Sequence, residues 1–311
     1  FGRFVRLGTP VAVAFAVLSL AACSGSKTRP AATTESTAST VANASGPIEG
    51  GTLDIAVAAV PAKWAPNSGQ WTTDELQAAR AVYDRLMVRD ENDQPVPELL
   101  ASVVPNSSFT AWTLTIRPGV LFSDGTPLTA EIVAFNLKAQ QGDRSNADLL
   151  MPISTITVTD PQTVLVTMST AWSTFSEVLT TRIGTVAAPV TLLGFDPRPI
   201  GTGPFIWSGV DEAGVTILVK NPTYWKKGLP HLDAVRLVPI ADAADRVTAA
   251  IDGKVGMVAV DEPRQLVRLE SLQNRESEIT IHDDRNAERP KVNIALETGK
   301  APFDRLTARR A

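Results

Sequence analysis

The residue types that most often carry chemistry are scarce in this chain. Its 311 residues include one cysteine, Cys23, and two histidines, His231 and His282. A single thiol excludes a disulfide framework and a multi-thiolate metal site, and two imidazoles leave little for metal or acid/base work. Neither a Gly-x-Ser-x-Gly elbow nor a His-Glu-x-x-His helix occurs. A Ser-Lys or paired-carboxylate mechanism stays open on sequence grounds. Ser24-Gly25-Ser26-Lys27 has the Ser-x-x-Lys spacing of penicillin-interacting enzymes, but that motif needs a helix start in a packed site and reads here as chance. Gly201-Thr202-Gly203-Pro204 lacks both the third glycine of a dinucleotide loop and the Gly-Lys-Ser/Thr of a P-loop. Asp90, Asn92 and Asp93 begin like a calcium loop without its glycine and terminal glutamate, so a solvated hairpin turn is expected. Composition leans away from catalysis, and no cofactor or metal is expected.

The balance of the chain fits a globular protein and argues against a nucleic-acid partner. It is 44% hydrophobic and 20% charged, enough to bury a sizeable core. Its 29 basic and 33 acidic residues give a formal net charge of -4, with no basic block outside the extreme N-terminus. No face of phosphate-neutralising charge is therefore expected.

The elements that must position any site begin behind an N-terminal address. The chain opens on Phe1, and its start is expected to be incomplete. Residues 1–22 read as an export signal: Arg3 and Arg6 precede an apolar run from Val11 to Ala22. At about 12 residues the run is short for a bilayer span, which takes about 20. Leu20-Ala21-Ala22-Cys23 directly behind it resembles a bacterial lipobox, making Cys23 the lipid-modified first residue of the mature protein; the alternative is a signal with an incidental cysteine. Residues 23–49, rich in Ser, Thr, Ala, Gly and Pro with hardly any large apolar residue, cannot bury enough surface to offset ordering entropy and read as a flexible tether.

The folded part is expected from Gly50 onward, with no internal repeat. Thr52 to Val60 reads as a buried strand, and Thr72-x-x-Glu75 signals a capping box for a helix with apolar positions Leu76, Ala79, Val82, Tyr83 and Leu86. Trp112, Leu114 and Ile116 alternate with threonines, a strand buried on one face, and a helix is expected near Thr129. Ile153–Val158 and Thr163–Met168 flank Asp160-Pro161-Gln162 as a hairpin. Strands are expected at 215–220, 235–239, 256–260, 279–282 and 292–296, and helices at 242–252, closed by Gly253, and at 263–272. This mixture means α/β or α+β.

Several blocks, in order, resemble the extracytoplasmic solute-binding proteins of ABC transporters, family 5, which serves peptides, oligopeptides and nickel. They are Gly50-Gly51-Thr52-Leu53, Val82-Tyr83-Asp84-Arg85-Leu86, Pro97 through Ser102, and the stretch from Trp112 to Glu131 that contains Ser123-Asp124-Gly125-Thr126-Pro127. Gly201 through Phe205, Lys220 through Trp225 and Gly228 through Asp233 continue the likeness, and Ala301 through Ala311 resembles the block that opens the second lobe's first long helix. The chain departs at Ile132, where the family has an acidic residue, and at Gly253-Lys254-Val255-Gly256, which lacks the family's aspartate. Each block also has a plain physical reading. Ser123–Pro127 specifies a turn before a helix, and Tyr224 and Trp225 read as a cap on the core rather than a stacking platform for ligand.

The resemblance implies a periplasmic-binding-protein type II-like fold of mixed α/β class, with two lobes closing on a solute. Only the first lobe and the start of the second are expected in this chain. About 50–73 and 170–285 would form the main domain, 74–169 an inserted subdomain, and 286–311 the start of the second lobe. By the same resemblance, the cleft is lined by the loop from Trp64 through Trp71 and Thr72 to Thr73 and by a crossing strand near Asn293 and Ala295. Indole rings in such a loop can pack against ligand while their N–H finds an acceptor; the other reading is that both tryptophans anchor the loop. The implied partners are a peptide or similar polar solute, a permease with its ATPase subunits, and the membrane through Cys23, with no nucleic acid and the protein acting as a monomer. Nickel, heme, opines or oligosaccharide as solute, a lipid-anchored hydrolase, and an adhesin are the alternatives.

Overall fold

The computed structural model describes residues 3–7, 47, 49–68, 71–195, 198–260, 262–273 and 279–283. In chain order the elements are β1 (Arg3–Leu7), β2 (Thr52–Val57), α1 (Thr73–Arg80), β3 (Met87–Arg89), β4 (Pro95–Pro97), β5 (Leu100–Pro105) and β6 (Ala111–Ile116). They continue with α2 (Ala130–Gly142), α3 (Ala147–Leu150), β7 (Ile153–Asp160), β8 (Thr163–Met168), α4 (Phe175–Val178), a 3-10 turn (Arg182–Gly184) and α5 (Pro189–Leu192). The last elements are β9 (Phe205–Val210), β10 (Thr216–Lys220), β11 (Ala234–Pro239), α6 (Ala243–Ile251), β12 (Met257–Val260), α7 (Pro263–Gln273) and β13 (Ile279–Asp283).

Two larger sheets organise these elements. One has seven strands in the order β13-β1-β12-β2-β11-β10-β9, the other four in the order β5-β6-β8-β7, and β3 and β4 form a separate hairpin. In the larger sheet β2 lies parallel to both β11 and β12, with Leu53 opposite Val235 and Ile55 opposite Leu237. In the smaller sheet the predicted alternation holds: Trp112, Leu114 and Ile116 are buried while the threonines between them are half-buried. That face packs under α2, whose Thr129 cap accepts from the Ile132 amide at 3.4 Å. The turn between β3 and β4 is the expected solvated one, with Asp90 Oδ1 accepting from the amides of Asn92 and Gln94. Ser123–Pro127 also folds as a turn: Asp124 Oδ1 accepts from the Thr126 amide, and Gly125 has φ of 86°.

Two expectations are corrected. The first helix stops at Arg80, although Val82, Tyr83 and Leu86 keep helical spacing. The segment after it is recruited by distant backbone: Val82 O accepts from the Gly203 amide, the Asp84 carbonyl from the Val186 amide, and the Leu86 amide donates to Gly184 O. Long-range pairing overrides local propensity here. Gly203 and Gly201 permit this approach, because an added Cβ would stand 2.5 Å and 2.2 Å from the Val82 carbonyl oxygen. Their role is close backbone packing.

The second correction concerns the start of the fold. Arg3–Leu7, ahead of Gly50, forms a strand antiparallel to both β12 and β13. β12 and β13 run the same way with room for one antiparallel partner, and the backbone groups of both edges are satisfied by that strand. The pairing belongs to the uncleaved chain. Cleavage before Cys23 would remove β1 and leave both edges open. Cys23, most of the expected tether, the strand expected at 292–296 and the stretch 286–311 lie outside the described residues.

Candidate functional site

The loop between β2 and α1 carries three of the residues singled out from sequence, Trp64, Trp71 and Thr72, and it leads into the helix that Thr73 opens. Its C-terminal end is set by a capping box: Thr72 Oγ1 accepts from the Glu75 amide at 3.3 Å, and Glu75 Oε2 takes the Thr72 amide at 2.8 Å. Thr72 is exposed, and Thr73 is the first residue of the helix. Trp64 is 9% exposed and packs with Val57, Tyr83, Leu192 and Phe205 in one core cluster. Its carbonyl accepts from Tyr83 Oη at 3.0 Å. Trp71 is half-buried, stacked on Tyr83 with ring centroids 6.2 Å apart, and its indole N–H donates to Lys63 O at 2.9 Å.

The structure therefore separates the two tryptophans. Trp64 anchors the loop from beneath, and Trp71 is half-buried beside the exposed Thr72. An indole whose N–H is already satisfied within its own loop offers a ligand its apolar face, with no desolvation cost at the nitrogen. Tyr83, the platform beneath Trp71, was read from sequence only as a helix residue. Asn293 and Ala295 lie outside the described residues.

Sequence reasoning also missed a buried polar joint on the far side of Tyr83. The Asp84 carboxylate is 6% exposed and accepts from Trp225 Nε1 at 2.8 Å, Tyr224 Oη at 3.1 Å and Thr202 Oγ1 at 3.1 Å. Glu98, 9% exposed, accepts from the Arg85 amide and pairs with Lys226 Nζ. The Arg117 guanidinium and the Lys226 ammonium lie over the Trp225 ring, 4.9 Å and 5.0 Å from its centroid. That ring thus packs against the core and lies beneath both cations.

Burial, then the neighbouring Glu98 carboxylate, push Asp84 up to about 7 against the opposing effect of the Trp225 and Thr202 hydrogen bonds and the Lys226 charge. Desolvation wins over the donors. Burial, with Asp84 and Glu98 nearby, also raises Tyr224. A perturbed carboxylate in a pocket suggests acid/base work, but this one is buried and enclosed by its own hydrogen-bond partners.

Elsewhere His231 Nδ1 lies 2.7 Å from Glu49 Oε1 at the edge of β2, and that hydrogen bond holds Glu49 below the usual carboxylate range. Among the described residues no group of three or more His, Cys, Asp or Glu is placed to hold a metal ion, and no helix is long and apolar enough to cross a membrane.

Comparison with known proteins agrees with this architecture. The chain is 25% identical over 257 residues to the nickel-binding periplasmic protein of Escherichia coli, covering 79% of this chain and 48% of that one. It is 28% identical over 240 residues to the glutathione-binding protein GsiB of Salmonella typhimurium, covering 70% and 46%. The chain thus spans about half the length of the curated relatives it matches. Among solved structures it resembles the periplasmic binding protein AgaA of A. tumefaciens R10 in complex with agropinic acid, with 27% identity and a TM-score of 0.61 over 66% of this chain and 43% of that one. The ABC transporter-associated periplasmic binding protein DppA of Helicobacter pylori, in complex with the peptide STSA, shares the fold with a TM-score of 0.63 at 20% identity over 73% and 50%. The fold is that of type II periplasmic binding proteins, of which this chain covers about half or less. The family described as bacterial extracellular solute-binding proteins, family 5, middle region, matches residues 94–311, and the chain belongs to that family.

Proposed function

We propose that this chain is the first part of a lipid-anchored extracytoplasmic protein that captures a peptide or similar polar solute and delivers it to the permease of an ABC importer. The observation that carries the reading is the family match over residues 94–311, and the relatives that bind glutathione or peptide favour a small peptidic solute. Trp71 and Thr72 supply one wall: an apolar indole face for a solute side chain beside an exposed hydroxyl for its backbone. Closure of two lobes would convert binding energy into the docking-competent state. The nickel-binding relative makes a chelated metal the competing solute. Titration calorimetry of the protein with trialanine, reduced glutathione and Ni(II)-histidine separates the two: saturable heat with either of the first two supports the reading, and heat with the nickel complex alone overturns the peptidic assignment.

The address is tested separately. If Cys23 is the lipidated residue, Cys23→Ala shifts the protein from the membrane fraction to the soluble fraction. A substituted protein that still sediments with membranes contradicts the anchor.

A further inference from the structure

Among the described residues of the loop that carries Trp64 and Trp71, the Ser68 amide donates to Ala65 O, and several other backbone carbonyls are taken by side chains. Three are taken in turn, each by a different residue. Trp71 Nε1 donates to Lys63 O at 2.9 Å, Tyr83 Oη to Trp64 O at 3.0 Å, and Arg182 Nη1 to Pro66 O at 2.6 Å. The first two donors sit in the loop itself or just beyond α1. The third comes from the 3-10 turn Arg182–Gly184, more than a hundred residues away in sequence.

Arg182 is 8% exposed, and its guanidinium forks between two bodies. While Nη1 holds Pro66 O, Nη2 donates to Asn146 Oδ1 at 2.8 Å at the corner between α2 and α3. Asn146 in turn donates to Gln140 Oε1 at 2.8 Å and to Gln140 O at 3.3 Å, and Asp143 Oδ2 stands 3.9 Å from Arg182 Nη1. The corner residues Gln140 and Asn146 are themselves buried, so the fork is built into packed structure and is shielded from water. A planar, permanently charged fork is the group that can tie a backbone carbonyl to an amide oxygen in this way; a lysine ammonium reaches as a point charge.

We propose that Arg182 is the positioning residue of the candidate ligand loop. It holds residues 61–68 to the α2–α3 corner, so that Trp71 is presented on a rigid edge. The role in solute capture rests on the function proposed above; the tie itself does not.

Peptide-level hydrogen exchange on the protein without any solute tests it. Arg182→Met, which keeps length and loses every donor, is expected to speed exchange across residues 58–72 by about a hundredfold, and Arg182→Lys by about tenfold, while Thr52–Val57 and Ala111–Ile116 exchange as in the parent. That graded, loop-confined change is the supporting result, and a global loss of packing would not produce it. Unchanged exchange across 58–72 in the lysine variant, or an equal rise throughout the protein, overturns the proposal. If the methionine variant does not fold, the lysine variant decides. Failure of the parent to bind trialanine, glutathione or Ni(II)-histidine would count against the capture function and leave the exchange result standing.

Discussion

The Trp225 indole N–H donates to the Asp84 carboxylate at 2.8 Å, joining residues 141 apart in sequence inside the same joint that holds Thr202 and Tyr224. Asp84 is thereby solvated by protein instead of by water. The exchange is incomplete, because burial still raises the group to about 7 from its ordinary 3.8.

A raised folded-state value means that the native protein binds a proton the unfolded chain has released. The resulting stabilisation is complete below about pH 3.8 and is lost as pH rises through about 7. Urea denaturation of the 311-residue chain between pH 5 and 7 is expected to show stability falling with pH, at most by about 1.4 kcal/mol per unit. Asp84→Asn removes that slope. Parallel slopes for parent and variant would mean that Asp84 is ionised throughout.

Trp225→Phe deletes one donor and keeps a ring beneath Arg117 and Lys226. The carboxylate, with one fewer hydrogen bond, rises further. The expected cost is about 2 kcal/mol at pH 8, where Asp84 must carry charge, and less at pH 5. An equal cost at both pH values would place the effect in packing alone.

Gly203→Ala drives a Cβ to 2.5 Å from the Val82 carbonyl carbon and oxygen, both backbone atoms that cannot turn aside. A loss of about 3 kcal/mol, or no soluble protein, is expected. Gly142→Ala, at the end of α2 with nothing within 4 Å of the new methyl, should be neutral or slightly stabilising. Thermal unfolding of the pair checks this, and similar melting temperatures would refute the packing role of Gly203.

Thr72→Ala removes one half of the capping box and should cost about 1 kcal/mol. The change should appear as faster exchange at the start of α1, next to Trp71. Unaltered protection there would show that packing of Leu76 and Ala79 holds the helix start without its cap.

Where contacts are local, the sequence carries the fold. The alternation of Trp112, Leu114 and Ile116, the Thr72 capping box and the turn chemistry at Asp90, Asp124 and Asp160 all act within a few residues, and each appears in the structure as read. What was illegible depends on distant partners. Val82 through Leu86 keep helical spacing, yet backbone from 184–186 and 203 takes them out of the helix. Asp84 lies in an apolar stretch with nothing nearby to mark the three donors that hold it. The site shows the same division. Tryptophans in a Gly/Pro/Ser loop drew attention to this segment, but which of them is core and which is surface follows from Tyr83 and Arg182, which only the fold brings beneath the loop.

The central claim is that the protein binds a solute and leaves it chemically unchanged. Titration calorimetry of the full-length protein, carrying both lobes, with trialanine and reduced glutathione, followed by mass spectrometry of the recovered solute, tests it most directly. The account predicts saturable binding of at least one, weakened by Trp71→Ala, with the solute recovered intact. Cleaved solute, or no heat with either, would contradict it.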